Sequence, residues 1–306
     1  MAAGRFAPSP TGSLHLGNLR TALVAWLFAR SAGSRFVVRM EDLDPGAVRE
    51  HLVAEQLADL AALGLDWDGP VERQSEHRDR FAAAIDSLTA AGTTYPCFCT
   101  RREIRDAARA PHGPYPEGAY PGTCLHLSDA EREARTGTGR APALRLRASG
   151  ARVRFEDRLH GEVEGAVDDL VLRRGDGTPA YNLAVVVDDA AQGVEEVVRG
   201  DDLLASTPRQ LHLARLLGLP VPEYAHVPLV LGPDDARLAK RHGAVTLADL
   251  AAAGTTPTHV LSCLAASLGL AAPGEAVTPS ALLDRFDPAA LPQDPWVPDR
   301  SGPPAR

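Results

Sequence analysis

Residues 5–18 read Arg5-Phe6-Ala7-Pro8-Ser9-Pro10-Thr11-Gly12-Ser13-Leu14-His15-Leu16-Gly17-Asn18, and this stretch decides the fold. Residues 6–9 open as a short extended piece, and Pro8 and Pro10 then force a loop. From residue 18 to about residue 32, Leu19, Leu23, Trp26 and Leu27 recur at helical spacing, and Gly33 ends the helix. A strand that runs through a glycine-containing loop into a helix N-terminus points backbone N–H groups and a positive dipole end at an anion. Gly17 lets a flat nucleotide approach the backbone, and His15 and Asn18 can donate to phosphate oxygens. A capped surface turn would share this local pattern, and the rest of the chain decides between the two.

Next along the chain, 35–40 (RFVVRM) predicts a strand with Glu41, Asp42 and Asp44 at its C-terminal end. Helical patterns follow over 46–63 and 76–91. Strands alternating with helices predict a parallel α/β sheet. At about residue 93 the pattern breaks. Residues 93–147 are rich in Pro, Gly and Arg and hold three of the four cysteines. Strands are expected at 152–155 and 169–173, with a hairpin turn at 174–177. The α/β pattern resumes with strands at 181–187 and 195–198 and a helix at 206–217. Ala-rich helices are expected at 246–253 and 258–269, and the Pro-rich end is expected to fray. The partition is then 1–92 with 177–225 as a discontinuous α/β catalytic domain, 93–176 as an insertion, and 226–306 as a loop and mainly helical C-terminal region.

Composition narrows the class. The chain has 306 residues, 44% of them hydrophobic, enough for a sizeable core. No apolar run approaches the roughly 20 residues needed to cross a bilayer. The N-terminus lacks a charged stretch followed by an apolar one, so a cytoplasmic protein is expected. Net charge is -8, which does not advertise nucleic-acid binding. Within 132–158, however, eight Arg stand against three acids, either a solvated face or an RNA contact. Of the 32 basic residues, only Lys240 is a lysine. A chain that uses Arg everywhere else keeps a compact, mobile ammonium there, suited to charge that builds up on a triphosphate.

With these pieces in order, the resemblance becomes specific. Arg5–Gly12 followed by His15-Leu16-Gly17-Asn18 resembles the opening of the glutamyl-tRNA synthetase family, and His15–Asn18 resembles its first class I signature. Arg237-Leu238-Ala239-Lys240-Arg241 resembles the second signature, the lysine loop, with Arg237 and Ala239 standing where Lys and Ser are more common. The resemblance spans roughly residues 4–245. It implies a Rossmann-like catalytic domain with a zinc-containing insertion. It also implies an ATP site of His15, Gly17, Asn18 and Lys240, with His15 and Lys240 catalytic. Arg5 and the backbone of Phe6, Ala7, Pro8 and Ser9 would hold the glutamate side chain, Glu41 its ammonium, and Tyr181 and Arg199 the carboxylates. ATP would arrive with Mg2+ bridging its phosphates.

Cys97 and Cys99 followed 25 residues later by Cys124 give three soft ligands, and a structural zinc site wants four. Tyr120, His112 or His126 could be the fourth; the stretch Tyr120-Pro121-Gly122-Thr123-Cys124 resembles the zinc-binding stretch of the family's shortened paralogues, which favours Tyr120. Cys263 lies on an apolar helix face and is expected in the core. Only about 65 residues follow Arg241, too few for the helical domains with which a glutamyl-tRNA synthetase reads an anticodon. That combination resembles the truncated paralogues, the glutamyl-Q tRNA(Asp) synthetases. It implies tRNA-independent formation of glutamyl-adenylate and transfer of glutamate to the queuosine in the anticodon of tRNA(Asp), by a monomer. The rivals are a minimal glutamyl-tRNA synthetase charging a 3′ end, a nucleotidylyltransferase, and a non-catalytic zinc-containing RNA-binding protein.

Overall fold

A computed structural model describes residues 2–100, 102–104, 119–137, 139, 141–238 and 245–298. The opening stretch becomes strand β1 (Ala3–Phe6), a loop, and helix α1 (Leu16–Ser31). Strand β2 (Arg35–Met40) pairs with β1 in parallel, and a short β3 (Glu72–Arg73) extends that side. Helix α2 (Glu50–Ala62) joins β2 to β3, and α3 (Arg78–Ala90) follows. On the other side of β1 lie β9 (Val194–Gly200) and then β10 (Glu223–Val227), again parallel. The sheet is the expected Rossmann-like α/β arrangement, and β1 is the strand from which it grows both ways.

Two apolar layers cover the sheet. The period of a strand sends alternate residues to opposite faces. Val38, Val198 and Ala225 pack with α1, whereas Val37, Val197 and Tyr224 pack on the other face. That second layer holds α3, α5 (Tyr181–Gln192) and α6 (Thr207–Leu217). The first layer is completed by residues of α7 (Leu247–Ala252), α8 (Pro257–Ser267) and α9 (Pro279–Leu283), so both faces are buried. Cys263, expected in the core, is only partly buried, with Sγ 3.7 Å from His259 Nε2.

Residues 181–187 are a helix, not the expected strand. The run Val185-Val186-Val187 favours a strand locally. The helix wins because residues 183–189 are all buried, as in a helix enclosed on every side, and Gly193 closes it in the left-handed conformation at φ 67°.

A separate antiparallel sheet comprises β4 (Thr94–Cys97), β5 (Ala143–Leu146) and β8 (Val171–Arg173), with helix α4 (Asp129–Thr136) between β4 and β5 in sequence. The hairpin β6 (Arg152–Asp157) and β7 (Gly161–Ala166) lies between β5 and β8 in sequence, yet β6 pairs with β10 and lengthens the main sheet to seven strands. Much of the excess positive charge of 132–158 is met by acids outside that stretch. Arg152 and Arg154 pair with Glu164, and Arg158 pairs with Glu196 and Glu223. These ion pairs favour the solvated-face reading over a free RNA-binding surface.

Candidate active site

A cleft of about 450 Å³ opens at the C-terminal ends of β1, β2 and β9. In an open parallel sheet, that edge beside a change of strand order is where ligands sit. Arg5, Phe6, Ala7, Pro8, Ser9, Glu41, Tyr181 and Arg199 all line it, as do His15, Gly17 and Asn18. Lys240, the remaining member of the expected set, lies outside the described residues, but Arg237 reaches the cleft and pairs with Asp202 at 2.6 Å.

His15 is the N-cap of α1. Its Nδ1 accepts the N–H of Gly17 at 3.1 Å and of Asn18 at 3.3 Å, while Asn18 Oδ1 accepts the His15 N–H at 3.1 Å. The reciprocal cap satisfies donors at the helix start. With Nδ1 an acceptor, the neutral ring carries its proton on Nε2. Burial, and then Arg237, pull the His15 pKa below its ordinary value and keep the ring neutral. The cap thus uses one atom of each side chain expected to serve phosphate, leaving His15 Nε2 and the Asn18 amide nitrogen as donors. A Cβ on Gly17 would meet His15 Cε1 at 2.9 Å, so the glycine also makes room for the capping ring.

Arg5 comes from β1 and is buried; its Nη1 donates to Val198 O at 2.9 Å, and its Nε lies 3.6 Å from Asp189. Glu41 follows β2, with Arg39 Nη2 at 3.5 Å. Burial pushes the Glu41 carboxyl upward, against the opposing pull of Arg39 and Arg5. Arg39 is buried too. Burial disfavours its charge, but Asp189, Glu41 and Asp188 outweigh that and hold it protonated. Tyr181 opens α5 and is 41% exposed, so its ring faces the cleft opening rather than the core.

Arg199, next to last in β9, is a buried guanidinium. It donates through Nε to His226 Nε2 at 3.0 Å, through Nη1 to Gln210 Oε1 at 2.7 Å and through Nη2 to Thr207 Oγ1 at 2.8 Å. None of these acceptors is a carboxylate, so a full positive charge stands at the cleft wall ready for an anion.

Several of these residues were not singled out from the sequence. Gln56 on α2 donates through Nε2 to Ser9 O at 3.1 Å and Gly12 O at 2.8 Å, which pins the loop before α1. Asp188 and Asp189, Asp157, Thr207, Gln210 and His226 are buried polar groups. The one available signal was an acid pair directly after a valine run, since a buried acid needs a partner.

In the second cluster, the thiols of Cys97, Cys99 and Cys124 lie within 4.8 Å of one another. Tyr120 Oη stands 3.4 Å from Cys97 Sγ and 3.7 Å from Cys99 Sγ. Tetrahedral zinc–thiolate bonds place sulfurs about 3.8 Å apart, so the donor set fits such an ion. Burial pushes the Cys124 thiol upward, but the Phe98 N–H, the Tyr120 hydroxyl and the neighbouring thiols outweigh it and leave the thiol below its ordinary range. His126 is exposed, and His112 lies outside the described residues.

Residues 2–296 match the family described as tRNA synthetases class I (E and Q), catalytic domain. The chain is 64% identical over 295 residues to the glutamyl-Q tRNA(Asp) synthetase of Nocardia farcinica, covering 96% of this chain and 92% of that protein. It is 51% identical over 308 residues to the glutamyl-Q tRNA(Asp) synthetase of Symbiobacterium thermophilum, covering 96% and 95%. Among solved structures, the glutamate-tRNA synthetase of Elizabethkingia anophelis superposes with a TM-score of 0.81 at 26% identity, and the chain spans 97% of its own length but 68% of that one. The glutamate tRNA ligase of Elizabethkingia meningosepticum, solved with its amino acid, gives 0.79 at 25% identity, with 97% and 66% covered.

Proposed function

We propose, because this chain belongs to the class I tRNA synthetase family (E and Q), that it activates L-glutamate with ATP in the absence of tRNA and passes the glutamate to the queuosine in the anticodon of tRNA(Asp). The observation that carries this reading is the single cleft lined by Arg5, Glu41, Tyr181 and Arg199 together with His15, Gly17 and Asn18. It is supported by the high identity to relatives named glutamyl-Q tRNA(Asp) synthetase over nearly their whole length.

On this reading, Glu41 receives the substrate ammonium and the guanidinium of Arg199 a carboxylate. Arg5 and the backbone of Phe6–Ser9 enclose the glutamate side chain, with the Tyr181 hydroxyl beside it. His15 Nε2, the Asn18 amide and the N-terminus of α1 face the ATP phosphates, and the lysine-loop resemblance assigns Lys240 to the same phosphates. A carboxylate oxygen of glutamate attacks the α-phosphorus and pyrophosphate leaves. A queuosine hydroxyl then attacks the carbonyl carbon of the adenylate, AMP leaves, and the hydroxyl proton goes to solvent. No side chain acts as a nucleophile; the protein supplies positioning and fixed charge. ATP carries Mg2+. Cys97, Cys99, Tyr120 and Cys124 would hold one structural zinc that ties residue 97 to residue 124. We take 93–176 as the insertion that carries this site, and the protein as a cytoplasmic monomer.

ATP–pyrophosphate exchange with glutamate and no tRNA tests the first half; absence of exchange with any amino acid overturns it. Mapping the nucleotide that receives labelled glutamate tests the second, and label on a 3′ ribose would make this a glutamate–tRNA ligase instead. Elemental analysis should find one zinc per chain, lowered by Cys99→Ser.

A further inference from the structure

Arg199 is held by three neutral acceptors, and His226 can be one of them in only one tautomer. Arg199 Nε has a proton to give and no lone pair to offer. His226 Nε2, 3.0 Å away, therefore carries no proton, and it is also the acceptor for the Thr207 hydroxyl at 3.1 Å. The ring's proton sits on Nδ1, which donates to Asp157 Oδ2 at 2.6 Å. Asp157 is fixed in turn, because its Oδ1 faces the N–H groups of Leu159, His160 and His226 at 3.0, 3.1 and 3.3 Å. The three side chains come from three adjacent strands, β6, β10 and β9, with His226 in register beside Arg199 and Tyr224 beside Asp157. The His226 side chain is fully buried and its ring stacks on Tyr224 at 5.8 Å, the same ring that lies 5.2 Å beneath the Arg199 guanidinium. Neither Asp157 nor His226 lines the cleft.

We propose that Asp157 and His226 are positioning residues that aim Arg199 at the substrate carboxylate by fixing the imidazole tautomer. Arginine has five N–H donors, and the fold uses one each on Nε, Nη1 and Nη2. One N–H remains on each terminal nitrogen, enough for a two-point grip on one carboxylate. Removing the acceptor at Nε leaves a buried donor unpaired and frees the guanidinium to turn. This inference rests on the reading that Arg199 binds glutamate.

Asp157→Asn separates tautomer from shape. The amide oxygen has to stay where three N–H groups converge, so the amide nitrogen faces His226 Nδ1. That pairing moves the ring proton to Nε2, where it opposes the Arg199 Nε–H, donor against donor. An isosteric change then acts like loss of the ring, as expected where a carboxylate fixes a histidine tautomer. Asp157→Asn and His226→Phe should each raise the glutamate Kd about tenfold or more. The ATP KM and the kcat at saturating glutamate should stay within about threefold of the parent. A purely structural role would lower Tm without this split. Nitrogen-15 spectra should show His226 protonated at Nδ1 in the parent and at Nε2 in Asp157→Asn.

Unchanged glutamate affinity in folded Asp157→Asn overturns the proposal. So does an Nε2-protonated His226 in the parent protein, a measurement that needs no variant and covers the case in which Asp157→Asn does not fold. Arg199→Ala distinguishes the two levels. If it too leaves glutamate binding intact, the assignment of Arg199 to glutamate fails; if it alone weakens binding, only the tautomer device fails.

Discussion

Asp59, half-buried on α2, is a carboxyl the fold works against. Burial first, and then the charge of Glu55, push it from 3.8 up to about 6. A raised carboxyl pKa means the folded state penalises the ionised form. That penalty is full above about 6, where folded and unfolded chains are both ionised, and vanishes as pH falls below 3.8. Asp59→Asn should therefore raise Tm clearly at about pH 8 and little at about pH 4. Equal gains at both values would show that the change acts through helix propensity. His15, lowered by burial, has the opposite sign: its contribution is complete above its ordinary value of 6.5 and fades as pH falls through and below it. Acidification therefore weakens the cap of α1 at the mouth of the cleft while relieving Asp59.

At the scale of elements, α6 joins parts far apart in sequence. Its first turn presents Thr207 and Gln210 to Arg199, while Arg209 reaches Asp168, whose other oxygen accepts the Tyr120 N–H at 2.9 Å. The helix start is seated on β7 through Pro208. A Cβ on Gly165 would come within 2.5 Å of Pro208 Cγ, and a proline ring cannot swing aside. Gly165→Ala should cost about 1–3 kcal/mol by overpacking, read by urea unfolding, and should weaken glutamate binding because α6 carries two of the three acceptors on Arg199. Full stability with normal affinity would mean that β7 and α6 separate without consequence for the site.

Over the whole molecule, the C-terminal stretch is part of the catalytic core. Leu247, Leu250, Val260, Leu264 and Leu282 share one apolar cluster with α1. Leu16 N–H donates to Val245 O at 2.9 Å, and Trp296 exchanges backbone bonds with Leu229 and Leu231. Arg20 in α1 adds a buried link, donating to Pro228 O and Ser267 Oγ. A chain cut after residue 244 would expose the face of α1 that these residues cover, so it should lose its cooperative thermal transition. A cut chain with native-like melting and glutamate binding would show that the stretch is an appendage.

What could be read locally is what neighbouring residues determine. The strand–loop–helix at 5–18, the alternation of RFVVRM, and the Cys-x-Cys pair with its distant third cysteine are set by periodicity, turn chemistry and ligand softness, all properties of short stretches. The sequence by itself therefore determined the α/β class, the cleft-lining residues from Arg5 to Asn18 and the thiol cluster. Only the tertiary structure decided that 181–187 is a helix, because burial on every side overrides the β preference of three valines. It alone joined the 152–166 hairpin to the main sheet and matched Arg158 with Glu196. It alone gave the polar groups around the cleft their partners: Asp157 and His226 are 69 residues apart, Arg39 and Asp189 are 150 apart. Pairs so remote leave no periodic trace, since a buried charge needs a partner but the chain order does not say which one.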